Sequence, residues 1–144
     1  MGSPFVIDTN VIVAGLLTAH ADSPPARILD GMLRARFQFV VSGSLLAEYR
    51  AVLIRPKLTR MHGLSASGVD KVLTDMTLHA TMLAVHHSSR TPRAPDTGDQ
   101  FLWDLLAFRD DLVLVTGDKL LQQQGPFQQR VMSPHEMASL VPLL

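Results

Sequence analysis

Phe5-Val6-Ile7-Asp8-Thr9-Asn10, continued by Val11-Ile12-Val13-Ala14-Gly15-Leu16-Leu17, decides how the rest of the chain is read. A short β-prone apolar run bounded by a polar residue reads as a buried strand, and the apolar segment after it is long enough to begin a helix. Asp8 then stands where the first strand ends. In open α/β sheets, ligands bind in the crevice outside the carboxyl ends of the strands. The fold and the chemistry both depend on whether other carboxylates reach the same place.

The composition fits one globular unit. The chain has 144 residues, 47% of them hydrophobic, which is enough to bury a substantial core as a single domain spanning 1–144. There is no cysteine, so disulfides and thiolate metal sites are excluded and any metal must be held by carboxylate or imidazole. No basic, apolar leader opens the chain and no apolar run is long enough for a membrane span, so the expectation is a cytoplasmic protein with no membrane partner. Thirteen basic and thirteen acidic residues balance to zero, which argues against coating nucleic acid by overall charge but leaves room for a local basic patch. Of the acids, only Glu48 and Glu136 are glutamate.

Strand and helix patterns alternate along the chain. Ser23-Pro24-Pro25 caps a second helix running to about Arg34. Phe37-Gln38-Phe39-Val40-Val41 predicts a strand, and Ser42-Gly43-Ser44 opens a helix over 45–54 that Pro56 stops. Residues 57–79 read as further helix broken near Gly63-Leu64-Ser65, followed by a strand at 82–85 and a proline-containing loop over 88–98. A helix apolar nearly all round, expected to be largely buried, runs from Asp99 or Gln100 to about Arg109. Leu112-Val113-Leu114-Val115 is the clearest strand. A last one near Arg130-Val131-Met132 leads into Ser133-Pro134-His135-Glu136, a capping box that gives Glu136 a structural task. Short apolar strands alternating with helices predict a parallel sheet covered on both faces.

Asp8, Glu48, Asp99 and Asp118 all fall at strand ends or helix starts. Each has a local alternative. Asp8 and Asp118 could cap the helices that follow them, Asp99 could complement a helix dipole with Asp96 as its cap, and Glu48 lies at the edge of an apolar arc. In a parallel sheet with right-handed crossovers, however, the carboxyl ends of the strands lie on one side, so the four converge. Clustered carboxylates repel unless they are protonated or neutralised by a cation. All-oxygen ligation suits Mg²⁺ or Mn²⁺, and such an ion supports hydrolysis at phosphorus. Thr9, Asn10 and Thr116 lie beside these acids, either to orient the carboxylates or as turn and cap residues.

Taken together, these residues resemble the PIN-domain family, in particular the bacterial VapC-like toxins of toxin–antitoxin modules. The resemblance rests on Val6-Ile7-Asp8-Thr9-Asn10-Val11, Leu46-Ala47-Glu48-Tyr49, Leu53-Ile54-Arg55-Pro56-Lys57-Leu58, Asp99-Gln100-Phe101-Leu102 and Val113-Leu114-Val115-Thr116-Gly117-Asp118-Lys119-Leu120-Leu121. It implies an α/β fold, a PIN-like three-layer α/β/α sandwich with a short-stranded, mostly parallel central sheet. It also implies a Mg²⁺- or Mn²⁺-dependent ribonuclease, dimeric and inhibited by a cognate antitoxin. Carried over by position, the catalytic and metal-site acids are Asp8, Glu48, Asp99 and Asp118, accompanied by Asn10 and Thr116. The loop before Asp99 is less acidic than in such toxins, which leaves Asp96 as an alternative or additional ligand.

Arg50, Arg55, Lys57 and Arg60 form the most basic stretch and begin two residues beyond Glu48, so they are the candidate contacts to RNA phosphates. Arg90 and Arg93 lie in the loop before Asp99 and could add to them. Trp103 reads as core, and none of the six histidines falls in a spaced metal motif. Asp104 reads as the exposed edge of its helix. Two other classes compete: a PIN-like module that binds RNA or protein without turnover, and another acid-pocket α/β phosphoryl-transfer protein. Against the latter, an aspartyl phosphatase would carry a second Asp where Asn10 stands, and Lys119 does not directly follow a strand as a receiver domain's lysine would.

Overall fold

The computed structural model describes residues 3–123 and 125–141. Five short strands form its centre: β1 (Phe5–Ile7), β2 (Val40–Ser42), β3 (Thr81–Leu83), β4 (Val113–Val115) and β5 (Val131–Met132). β4 lies between β1 and β5, β2 pairs with β3, and every pairing is parallel. A single parallel bridge from Phe5 to Phe39 joins the two groups, so the order across the sheet is β3-β2-β1-β4-β5. The chain moves outward from β1 on one side and resumes on the other side at β4. The β1–β4 boundary is therefore the point where strand order reverses, the place in such sheets where ligands bind. The architecture is the three-layer α/β/α sandwich with a parallel sheet that the sequence predicts.

Eight helices among the described residues surround the sheet: α1 (Thr9–Leu17), α2 (Pro24–Leu33), α3 (Gly43–Leu53), α4 (Pro56–His62), α5 (Ala66–Thr77), α6 (Gln100–Phe108), α7 (Lys119–Gln123) and α8 (Pro134–Leu140). Local sequence explains most of their starts. Ser23, Ser42, Ser65 and Ser133 each accept a backbone N–H of the first turn, a contact worth about 1 kcal/mol apiece. The capping box at Ser133 and Glu136 is complete. Gly63 adopts a left-handed conformation (φ 75°) and ends α4, which a residue with a Cβ does only at a cost.

Some boundaries differ from the sequence reading. The second strand is Val40–Ser42, not 37–41. Phe37 leaves the ladder to pack edge-on against Phe5 at 5.8 Å, while Ser42 both ends the strand and caps α3. The third strand is Thr81–Leu83, set by the register of Val40 with Thr81 and Ser42 with Leu83. Pro56 is the first residue of α4 as well as the stop for α3. In α6, Leu102, Trp103, Leu105 and Leu106 are buried, but Phe108 in the last turn is 52% exposed.

The core is one contiguous apolar cluster that includes Ile7, Ile12, Ile28, Val41, Tyr49, Trp103, Leu114 and Met137. Arg130 closes its edge, donating to the carbonyls of Leu106, Arg109 and Leu112 while stacked over Phe127. Among the described residues, no helix is long and apolar enough to cross a membrane.

Candidate metal-dependent active site

The register of β1 on β4 builds the site. Ile7 pairs with Val115, and the Asp8 N–H donates to the Val115 carbonyl at 2.9 Å. Asp8 and Thr116 are therefore the next rung of the same ladder. The Thr116 hydroxyl donates to Asp8 Oδ2 at 2.7 Å and accepts the Asp118 N–H at 3.0 Å. Asn10 locks the arrangement. Its amide nitrogen reaches Asp8 Oδ2 and Thr116 Oγ1, both at 3.3 Å, and its oxygen accepts the Gly117 N–H at 3.0 Å. Because that N–H only donates, it fixes which way the Asn10 amide faces.

Asp8 is both helix cap and site residue. Its Oδ1 accepts the Thr9 N–H at 2.8 Å, and its Oδ2 already takes two donors. Each carboxylate oxygen accepts about two hydrogen bonds, so the remaining acceptor capacity is on Oδ1. Asp118 Oδ1 accepts the Leu120 N–H at 2.9 Å and so caps α7. Asp99 stands at the N-cap position of α6 but makes no capping bond with its side chain. Its carboxylate is not consumed by the helix.

A cavity of about 360 Å³ is lined by Asp8, Thr9, Asn10, Glu48, Asp99 and Asp118, with Val13, Ala14 and Val52 as its apolar wall. The sequence-predicted acids thus meet in one place. Glu48 is brought there by its neighbour. Tyr49 is fully buried and its hydroxyl donates to the carbonyl of Ile7, tying α3 to the end of β1. Burial, and then the charge of Asp8, push the Tyr49 phenol well above its usual range, so it remains a donor.

The electrostatics record the crowding. Burial raises the Asp8 carboxyl, the Thr116 hydroxyl and Thr9 N–H pull it back, and the charges of Asp118 and Glu48 push it up again; the net direction is upward. Asp99 is pushed up to about 6, first by burial and then by Asp8, Asp96, Asp118 and Glu48. Carboxylates raised by one another are stabilised by a cation. Among the described residues, no three His, Asp or Glu side chains are gathered to hold one ion jointly. A hard divalent ion such as Mg²⁺ keeps several waters and takes one or two carboxylates directly, so it needs no closed cage. The Thr9 hydroxyl oxygen is buried without a hydrogen-bond partner among the described residues, on a residue that lines the cavity. The donor set is all oxygen and fits a hard divalent ion.

Other predicted residues fall elsewhere. Asp96 is exposed and caps the one-turn 3-10 helix Thr97–Asp99 through the Gly98 N–H at 2.8 Å. It acts on Asp99 by charge and does not line the cavity. Thr9 contributes its backbone N–H to Asp8, not its hydroxyl. Arg50 already has a partner: its Nε and one terminal nitrogen donate to Asp70 of α5, at 2.7 and 3.3 Å, in a half-exposed ion pair. Arg55, Lys57 and Arg60 are exposed and, among the described residues, form no ion pair.

Two residues support the loop before Asp99: Gln100, which the sequence leaves without a role, and Asp104, which it places on an exposed helix edge. Gln100 accepts the Ala94 N–H at 2.9 Å, donates to the Pro92 carbonyl at 3.0 Å, and reaches Asp104 at 3.3 Å. Asp104 in turn meets His87 at 2.9 Å. Far from lying on a free helix edge, Asp104 is 12% exposed at its side chain, and with Gln100 it ties the loop before Asp99 to α6. A polar residue at 104 within an apolar helix was the only sequence signal of this.

No curated protein matches the chain in sequence. The family model for the PIN domain matches residues 4–120. That span runs from β1 through all four converging acids to the start of α7, and PIN domains are nuclease folds that generally use divalent metal ions. The chain belongs to the PIN-domain family.

Proposed function

We propose that this protein is a Mg²⁺- or Mn²⁺-dependent endoribonuclease that hydrolyses RNA phosphodiester bonds, and that it is the toxin of a type II toxin–antitoxin module. The observation that carries the reading is the one cavity lined by Asp8, Glu48, Asp99 and Asp118, in which burial and then the neighbouring acids raise the carboxyls of Asp8 and Asp99. Asp8 and Asp118 beyond the ends of β1 and β4, with Glu48 on α3 and Asp99 at the start of α6, would surround the ion, one or two binding it directly and the others through its waters. The chemistry a divalent cation supplies in such a site is neutralisation of charge on the phosphate and acidification of water. Thr116 and Asn10 hold the Asp8 carboxylate in one orientation. Arg55, Lys57 and Arg60 would steer RNA phosphates toward the cavity, since α4 follows directly on the helix bearing Glu48.

The partners follow from the same family reading: RNA as substrate, a small cognate antitoxin as inhibitor, and a second copy of the chain in a homodimer, all in the cytoplasm. The test is incubation of purified protein with single-stranded RNA across a Mg²⁺ and Mn²⁺ titration. Cleavage should require the ion, stop with chelator, and be lost in Asp8→Asn and Asp118→Asn while circular dichroism stays unchanged. Full metal-dependent activity in both variants would overturn the assignment. For the biological role, induced expression in a bacterial host should arrest growth, and Asp8→Asn should not. Co-expression of the neighbouring small reading frame should restore growth and co-purify with the chain.

A further inference from the structure

The carboxylate cavity does not end at Asp118. A second cavity, also about 360 Å³, is lined by Asn10, Val11, Ala14, Pro25, Gly117, Asp118 and Pro134. Asn10, Ala14 and Asp118 line both, so the two are lobes of one crevice divided by the Asn10–Asp118 ridge. Their chemistry differs. The first lobe gathers four acids. The second has apolar walls from Val11, Ala14 and two proline rings, its one ionisable lining residue is the shared Asp118, and it contains no cation. It suits an uncharged planar group rather than a phosphate.

Its walls are fixed before any ligand arrives. Pro25 and Pro134 sit in the first turns of α2 and α8, whose starts are set by the Ser23 cap and the Ser133–Glu136 capping box. Gly15 holds the first of these against α1: a Cβ there would lie 2.8 Å from the Pro25 carbonyl oxygen. The helices pack closely only because residue 15 has no side chain. The two serine–proline starts that the sequence marks as helix signals thus form a rigid, apolar slot beside the acids.

We propose that this lobe is a base subsite, receiving the nucleobase of one nucleoside adjacent to the scissile phosphate of single-stranded RNA. The inference rests on the reading of the acidic lobe as a ribonuclease centre. An RNA strand whose phosphate lies among the acids and that leaves across the Asn10–Asp118 ridge brings its next base against Pro25 and Pro134. Unpaired RNA presents its bases for such contacts, whereas a duplex keeps them stacked. A cavity of this size is at the low end for small-molecule sites and has room for one nucleoside.

The test moves a single abasic ribose through a labelled single-stranded oligoribonucleotide that the protein cuts at one place. In the native protein, loss of the base at one nucleotide flanking the cut should lower kcat/KM about tenfold, the scale of one stacked base. In Pro25→Ala/Pro134→Ala the intact oligonucleotide should be cut about tenfold more slowly, with little further loss from the abasic change. Pro134→Gln puts a larger uncharged side chain with good helix propensity into the lobe and should raise KM while leaving the metal concentration for half-maximal cleavage unchanged. An equal abasic penalty in native and double-proline proteins, or none confined to a flanking position, would overturn the subsite while leaving the nuclease reading intact. Anisotropy titrations of the same oligonucleotides on Asp8→Asn separate the two ideas. A base-dependent affinity that the proline changes remove would sustain the subsite, and absence of metal-dependent cleavage by the native protein would then sink the nuclease alone; no binding and no cleavage by the native protein would sink both.

Discussion

The hydroxyl of Tyr49 donates to the backbone carbonyl of Ile7, so the residue after Glu48 is bonded to the residue before Asp8. Two acids separated by forty residues of chain are thereby held at a set spacing by a buried contact that does not itself titrate near neutral pH. The catalytic reading depends on such supports as much as on the acids.

Tyr49→Phe isolates this one. The ring remains, but the Ile7 carbonyl loses its buried partner, which costs about 1–3 kcal/mol. Chemical denaturation should show that loss without a change in m-value, and half-saturation by Mg²⁺ should move to higher concentration. An unchanged metal midpoint in a destabilised protein would make the contact purely structural.

Thr116→Val removes the donor to Asp8 Oδ2 and the acceptor for the Asp118 N–H while keeping the shape. Losing the hydroxyl raises the Asp8 carboxyl further, since that bond now holds it down. Groups that orient metal-bound carboxylates are each worth about 10–100-fold in affinity or activity. Cleavage should fall by that range, and Thr116→Ser should restore most of it.

The pH dependence of stability has a definite sign. Asp99 is raised from its ordinary 3.8 to about 6 in the folded protein, so between those values the native state binds more protons than the unfolded one. Stability without metal therefore falls as pH rises from about 4 through about 6. Thermal melts in chelator should show this fall, Asp99→Asn should flatten it, and added Mg²⁺ should reverse it, because ion binding releases the proton.

Gln100→Ala frees the loop over 92–94 from α6. The Ala94 amide should then exchange faster with deuterium, and the Mg²⁺ midpoint should rise while global stability changes by less than about 1 kcal/mol, as expected for a partly exposed hydrogen bond. If exchange quickens but the midpoint stays put, the loop does not position Asp99.

Local sequence was enough to place the elements and their order. The strand ending at Asp8, the serine caps at 23 and 133, the break at Gly63 and the parallel α/β arrangement were all legible, because periodicity and capping act within a few residues. The four acids were also legible, as carboxylates at strand ends and helix starts. Tertiary structure alone decided their support and the shape of the crevice. Thr116 reaches Asp8 across 108 positions, Tyr49 reaches Ile7 across 42, and Arg50 pairs with Asp70, 20 residues on. Gln100 turns back to the loop before it, and Pro25 and Pro134 meet beside Asp118. Such contacts are set by strand register and helix packing. A one-residue slip of β1 on β4 would turn Asp8 away from Thr116, and no local window of sequence contains that choice.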